Sequence, residues 1–332
     1  MFNLKFKKLF GFLGLFALIF TTLSGQSFAK KHPTYASKTC NGQIQVVIHA
    51  SYGGGTDTTA RMMSIRTRRT LNTDIQIVGK RGGSGAKAQN YTLTRPKDGC
   101  TIMALTESHL YTMARGKSNM KISDLVGVAR AMEEPTFVVV NAKNKELSTV
   151  KKMIKRAQKK PISVAIASIG GTEHIGMYSY SKAANIPFKA VSFGSGAQSL
   201  QALASGKVEA SLLNPSEAAA LIADKKIKAI VLLHDKALAD YPKVKTSYSM
   251  GHKVKVVTTR GYAVLKGTPQ SVIDEISKGM VKAMKHETFG NYLKGASLDP
   301  ATSPAGTKVW DKQLKENYKK AAAALKGLGL TK

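Results

Sequence analysis

Cysteine is nearly absent from this chain: there are two in 332 residues, Cys40 and Cys100. Two cysteines cannot build a structural zinc site unaided. The seven histidines show no His-Glu-x-x-His or similar spacing, so metal chemistry has no sequence support. Acidic residues are scarce as well, with 20 Asp and Glu against 51 Lys and Arg. Such an excess points to anionic partners (small acids, a membrane surface or polyanions) or to lysines that only solvate the surface. Charge alone would admit nucleic acid, but zinc-finger spacing, an aromatic RNA-binding signature and a basic helix with a zipper are all missing. Beyond Phe20 no apolar run is long enough to span a bilayer. Leu9 to Phe20 is itself too short for a comfortable span. It follows Lys5, Lys7 and Lys8 and precedes Ser27-Phe28-Ala29, a small-x-small cleavage site. Residues 1–29 therefore read as a signal peptide cleaved near Ala29, with no cysteine there for lipid attachment. The mature chain is expected in the periplasm. Losing the three signal lysines leaves it +28 of the whole chain's +31. An oxidising compartment also permits a disulfide.

Glycine is what the chain does have, placed where strands end. Ile44 to Ala50 reads as an apolar strand, Gly53-Gly54-Gly55 as a sharp turn, and Thr58 to Thr70 as a helix with Thr56 and Asp57 as cap types. Unpaired N–H groups and the positive end of the dipole make such a helix start a seat for a carboxylate or phosphate. An ordinary tight β–α turn has the same pattern. Asp74 to Val78 is a second strand, Lys80 to Gly85 another glycine-rich loop, Ala86 to Thr94 a helix, and Cys100 to Leu105 a third strand that ends at Thr106. This β–α–β–α–β run implies a doubly wound sheet of order 2-1-3, with ligands at the carboxyl ends of its strands.

A second β/α run follows. Strands at Ile162 to Ala167, Lys189 to Phe193 and Glu209 to Leu213 each end in small or polar residues, namely Ser168 to His174, Gly194-Ser195-Gly196 and Asn214-Pro215-Ser216. Converging loops on two β/α modules describe a cleft between two lobes. Phe137 to Asn141 and Ile227 to Leu233 flank the second module, so the chain is expected to cross over and return there. The first lobe would hold residues 39–136 plus 236–332, and the second residues 137–235. Ser148 to Lys160 reads as a helix capped by Ser148, with stripes of like charge that must be solvated. The only tryptophan, Trp310, lies in a last helix and reads as packing. Residues 30–43 read as a loose N-terminus.

Several of these segments, in order and across nearly the whole mature chain, resemble one family: the Bug receptors, the periplasmic solute-binding proteins of tripartite tricarboxylate transporters. Tyr52-Gly-Gly-Gly-Thr-Asp57 with Ala60-Arg61 is similar to that family's Gly-Gly-Gly-Thr-Asp turn, and Lys80 to Gly85 to its Asn-Arg-x-Gly-Ala-Gly-Gly loop. Pro96 to Thr101, Ala167 to His174, Val191 to Leu200 and Gly261 to Pro269 resemble further family segments. The resemblance implies an α/β, two-lobed periplasmic-binding-protein fold (type II-like). It implies a receptor that closes on a small organic anion (a mono-, di- or tricarboxylate) and delivers it to the membrane subunits of a transporter. No cofactor, metal or nucleic acid is implied, and a monomer is expected. By position it points to Gly54, Gly55, Thr56, Asp57, Ser168, Thr172, Phe193 and Ser195, and the strand ends add Thr106 and Asn214. The chain departs from the pattern at four places. Tyr52 stands for prolines, Phe193-Gly194-Ser195-Gly196 for Tyr-Lys-Gly-Ser, Leu213-Asn214 for Asp-Asn, and Arg260 lies near a usual tryptophan.

Competing readings are an exported basic protein that binds polyanions, a sensor receptor, and a dinucleotide-binding enzyme. The last has the least support. Gly53-x-Gly55-x-x-Thr58 lacks the final glycine of the Rossmann fingerprint, no Gly-Lys-Ser/Thr loop follows a strand, and no Gly-x-Ser-x-Gly elbow is present. Asp57 is expected to cap its helix and shape the turn, leaving Thr56 and the glycine N–H groups to the ligand. Cys40 and Cys100 stand at the starts of strands that are neighbours in a 2-1-3 order, which suits a bridge; Cys100 also replaces a tyrosine of the family pattern. Two separate buried thiols are the alternative.

Overall fold

In the computed structural model, residues 34–330 are described, and the expected signal peptide lies outside them. The segment read as a loose N-terminus contains a short helix, α1 (Tyr35–Thr39), capped by Thr34 and tied down by Tyr35, whose hydroxyl donates to the Gly99 carbonyl at 3.1 Å. The glycine turns then punctuate β1 (Gln43–Ile48), α2 (Gly55–Thr70), β2 (Asp74–Gly79), α3 (Ala86–Leu93), β3 (Thr101–Leu105), α4 (Glu107–Ala114) and β4 (Leu125–Pro135). The second run comprises β5 (Phe137–Asn141), α5 (Val150–Ala157), β6 (Ile162–Ile166), α6 (Thr172–Ala184), β7 (Phe188–Ser192), α7 (Gly196–Ala204), β8 (Ala210–Leu213), α8 (Pro215–Ala223) and β9 (Ile227–Leu232). The chain closes with β10 (Val257–Leu265), α9 (Gln270–Met284), α10 (Glu287–Gly295), β11 (Ala305–Gly306) and α11 (Thr307–Gly327).

These strands form two sheets, ordered β11-β4-β10-β3-β1-β2 and β7-β6-β8-β5-β9. The parallel pairing expected of β–α–β units holds for β2-β1-β3 and for β7-β6-β8. Where the chain changes sheet the pairing is antiparallel. β10 runs antiparallel to both β3 and β4, and β5 antiparallel to both β8 and β9. One residue, Thr136, separates β4 from β5, and its carbonyl accepts the Leu233 N–H of the returning strand at 2.8 Å. The two connections thus lie side by side.

The central strands are buried on both faces, which is why β3 and β5 read as near-continuous apolar runs rather than alternations. Ile44, Val46 and Ile48 pack on one side of the first sheet and Val47 on the other; Ile102 and Ala104 oppose Met103 and Leu105 in the same way. In the second sheet Val138 and Val140 oppose Phe137 and Val139. Trp310 is a packing residue. A side chain at Gly127 would lie 2.7 Å from its ring, and one at Gly261 would overlap it, while its indole N–H donates to the Tyr262 carbonyl at 3.0 Å. Cys40 and Cys100 are joined by a disulfide, with Cα atoms 5.3 Å apart at the starts of β1 and β3. Helix α5 begins at Val150 and its cap is Thr149, not Ser148: the Thr149 hydroxyl accepts the Lys152 N–H at 3.2 Å. Its lysines are exposed, and Arg156 leaves their stripe to pair with Glu209 at 2.6 Å.

Candidate functional site

Strand polarity brings the carboxyl ends of β1, β3, β6, β7 and β8 to a cavity of about 690 Å³ between the lobes. The helices that follow those strands start in its wall. Gly55 and Thr56 open α2, Ser108 lies in the first turn of α4, Thr172 opens α6, Ser195 caps α7, and Glu217 lies in the first turn of α8. The first N–H groups of a helix have no acceptor within it and carry the positive end of its dipole. Five such ends on one cavity favour an anion there.

The lobes touch around this cavity. Ser51 N–H donates to the Gly194 carbonyl at 3.3 Å, the Ser84 hydroxyl to the Ile169 carbonyl at 2.6 Å, and Thr172 N–H to the Ser108 hydroxyl at 3.1 Å. A side chain at Gly54 would come within 2.9 Å of Ser195 Cβ, so only glycine lets the start of α2 approach the second lobe this closely. On the opposite wall, Gly82, Gly83, Ser84 and Gly85 all have positive φ, a left-handed path that a run of ordinary residues would not adopt.

The deep wall is charged. Arg260, on β10, is 5 % exposed and bonds Glu134, itself fully buried at the end of β4. Its second nitrogen donates to Asn214 Oδ1 at 3.3 Å and lies 3.9 Å from Glu217 Oε1. Burial alone would disfavour the guanidinium charge, but Glu134 and Glu217 outweigh it and raise its pKa. Glu217 is itself held at both oxygens, by Asn214 N–H at 3.2 Å and, across the cleft, by Gly55 N–H at 3.3 Å. Burial pushes Glu173 up to about 7, with the negative charge of Glu217 adding to the rise and Arg260 opposing it. His49 is pushed down to about 4 by burial and by Arg260, and its ring meets that of buried His109 edge-on at 4.1 Å. Arg81 supplies a second guanidinium at the exposed rim. Among the described residues no group of histidine, cysteine and carboxylate side chains is placed to hold a metal ion. No described helix is long and apolar enough to cross a membrane.

Residues 59–330 match the family described as "Tripartite tricarboxylate transporter family receptor". The chain belongs to this family. Among its relatives is BugT of Bordetella pertussis, 22% identical over 277 residues that cover 80% of this chain and 82% of that protein. Among solved structures, MatC of Rhodopseudomonas palustris with bound malate is 20% identical, with a TM-score of 0.79 over 85% of this chain and 98% of MatC. Another R. palustris protein, with adipate, is 18% identical, with a TM-score of 0.79 over 86% of this chain and 97% of that one. At such identities the structures share the fold with this receptor: two α/β lobes around a cleft.

In this receptor the cavity wall brings together Gly55, Thr56, Thr106, Ser168, Thr172 and Ser195. Four other expected ligand residues stand behind it. Gly54 is the N-cap of α2, the role expected of Thr56 or Asp57, and backs onto Ser195. Asp57, two residues into the helix, reaches backwards: its carboxylate accepts Gly53 N–H at 2.8 Å and pairs with Arg61 at 2.9 Å, shaping the turn from the far side. Phe193 packs its ring against the core of the second lobe, and its N–H continues the sheet to Ile166 O at 3.0 Å. Asn214 bridges the Pro135 carbonyl at 3.0 Å and Arg260, so it positions the guanidinium. Sequence reasoning missed Glu173 and Glu217 as cavity residues, since an acidic residue in a first helical turn is ordinary dipole complementation. It noted Arg260 only as a departure. A charge next to the mostly apolar segment Gly261 to Leu265 was the available signal, because a buried charge requires partners.

Proposed function

We propose that this receptor captures a small organic acid (a mono-, di- or tricarboxylate) in the inter-lobe cleft and passes it to the membrane subunits of a tripartite transporter. The carrying observation is the convergence of five helix N-termini on one cavity, an arrangement that stabilises a carboxylate without needing a lysine against it. The bound malate and adipate of its structural neighbours support the same class of ligand. We take the lobes as residues 39–136 plus 236–332 and residues 137–235, and the working form as a periplasmic monomer released from its signal peptide near Ala29. Gly55, Thr56, Thr106, Ser168, Thr172 and Ser195 would meet the ligand; Gly54, Asp57, Phe193 and Asn214 would hold them in place.

A thermal-shift screen over mono-, di- and tricarboxylates tests this reading, because a ligand that binds only the folded state raises the melting temperature. At least one acid should do so, and titration calorimetry should show saturable one-to-one binding. A screen in which no acid shifts the transition while a polyanion does would transfer the function from the cleft to the basic surface.

A further inference from the structure

We propose that the pole of the second lobe farthest from the cleft docks on a bilayer rich in anionic lipid, held there by lysines. This face is separate from the cavity, and the proposal does not depend on what the cleft binds.

Strand polarity builds the pole. β6, β7 and β8 run in parallel towards the cavity, so their starts gather at the opposite edge of the second sheet, with the ends of the helices that precede them. β5 ends and β9 begins at the same edge, where Val140 pairs with Ala210 and Asn141 with Ile227. Between β5 and β6 the chain crosses that edge, with α5 midway. Two contacts fix the crossing: Lys228 Nζ donates to the Ser148 carbonyl at 2.9 Å, and Arg156 to Glu209 at 2.6 Å.

The charge gathered there is one-sided. Residues 143–160 carry seven lysines and Arg156, and Lys182, Lys207, Lys225, Lys226 and Lys228 stand at the ends of α6, α7 and α8 and at the start of β9. All twelve lysines are exposed. Against them stand only Glu146, Glu209 and Asp224, which leaves the pole at +10. The edge of the first lobe that holds the starts of β1, β2 and β3 is different: Asp74, Asp98 and Asp124 are set among its cations, and Asp74 pairs with Arg68 at 3.1 Å. A lysine near the end of a helix complements its dipole, which accounts for Lys182 in the last turn of α6. It does not account for α5, whose lysines line its exposed side from the first turn onward and repel one another at a cost to the fold.

The make-up of the pole selects its partner. A protein interface needs an apolar or aromatic centre, and the exposed large apolar side chains among the described residues (Tyr52, Ile65, Ile169, Tyr248 and Val309) all lie elsewhere. Nucleic acid is gripped by arginine forks and stacked aromatic rings, whereas here the one guanidinium is committed to Glu209. An array of lipid headgroups asks for no fixed geometry, only for positive charge within a Debye length of the surface. Each lysine so placed raises partition about fivefold. The cleft lies at the other end of the same strands, so a receptor docked by this pole keeps it open to solvent. In the transport role proposed above, docking would confine the receptor to the membrane that holds its partner subunits.

The test is co-sedimentation of the mature receptor with vesicles of phosphatidylcholine alone or with about one-third phosphatidylglycerol, at low salt and at about 0.5 M salt. Binding should require phosphatidylglycerol and vanish at high salt, and hydrogen exchange should slow in residues 143–160 when the vesicles are added. The fourfold variant Lys151→Gln, Lys155→Gln, Lys159→Gln and Lys225→Gln, checked for an unchanged melting transition, should partition at least about thirtyfold more weakly. A control with the same loss of charge on α11 of the first lobe, Lys308→Gln, Lys312→Gln, Lys319→Gln and Lys320→Gln, should stay within about threefold of the parent. The parent's lipid and salt dependence and its exchange pattern decide the matter even if the pole variant folds poorly. Equal losses in the two variants would show that net charge acts rather than this pole, and the proposal falls. It falls too if partition survives high salt, if protection appears elsewhere, or if the vesicles bind nothing, whether or not heparin or duplex DNA does.

Discussion

Replacing Arg260 by methionine removes the guanidinium that Glu134 and Glu217 flank. The Arg260 side chain is 6% exposed and that of Glu134 0%. Glu134 would keep only the Ser216 N–H and hydroxyl, both at 3.0 Å, and would face Glu217 without a positive charge between them. Deleting one partner of a buried pair costs about 3–5 kcal/mol, because the remaining charge is left desolvated and unpaired. Arg260→Met should therefore lower the free energy of urea unfolding by about that amount. Adding Glu134→Gln removes the stranded charge while preserving an acceptor for Ser216, so the double variant should recover most of the loss. The assay is a double-mutant cycle by equilibrium urea denaturation, read as midpoint and slope. Strict additivity of the two substitutions, or a cost below about 1 kcal/mol for Arg260→Met alone, would refute the reasoning, because either result means that the charges are already solvated.

Removing the disulfide by Cys40→Ser with Cys100→Ser frees a loop of sequence separation 60. By loop entropy this should cost about 4 kcal/mol, seen as a lower urea midpoint, while ligand affinity stays the same because the bridge lies at the strand starts, away from the cavity. Glu107 gives a pH signature. Burial lifts it to about 7 against the opposing hydrogen bond from Thr259 N–H at 2.7 Å, so the folded state keeps a proton that the unfolded chain has released. Its contribution is therefore present below the ordinary carboxyl range and is lost as pH rises towards about 7, and Glu107→Gln should lose less melting temperature between acid and mildly alkaline buffer than the parent does. An identical pH dependence in the two proteins would exclude that source. With +28 on the mature chain, the ligand association rate should fall with added salt while the dissociation rate barely moves; stopped-flow traces in which both change equally would place unscreened lysines on the ligand.

What the sequence made legible follows the range of the interactions involved. β1 and β3 could be read from the chain because strands buried on both faces need a mostly apolar run, and the glycines after β1 mark a turn whatever lies around it. Helix α1 was missed because five residues show no period; it exists because Tyr35 reaches Gly99 and the bridge anchors Cys40. Helix α4 was missed because Thr106-Glu107-Ser108 reads as the end of a strand and only its burial beneath α11 reveals it as a helix start. The antiparallel entry of β10 between β3 and β4 is set by where the chain returns, which no local pattern encodes.

The site divides the same way. Its backbone half is local: each helix N-terminus follows its own strand by a few residues, so the small-residue turns marked the segments and the family resemblance pointed within them to Gly55, Thr172 and Ser195. Its charged half is not local. Arg260 meets Glu134 across 126 positions of chain, and Gly55 N–H meets the Glu217 carboxylate across 162. Each of these charges had an innocent local account as a dipole complement or a surface residue. Only the fold shows that they share one desolvated wall, whereas a seat for an anion could be anticipated from the glycine turns.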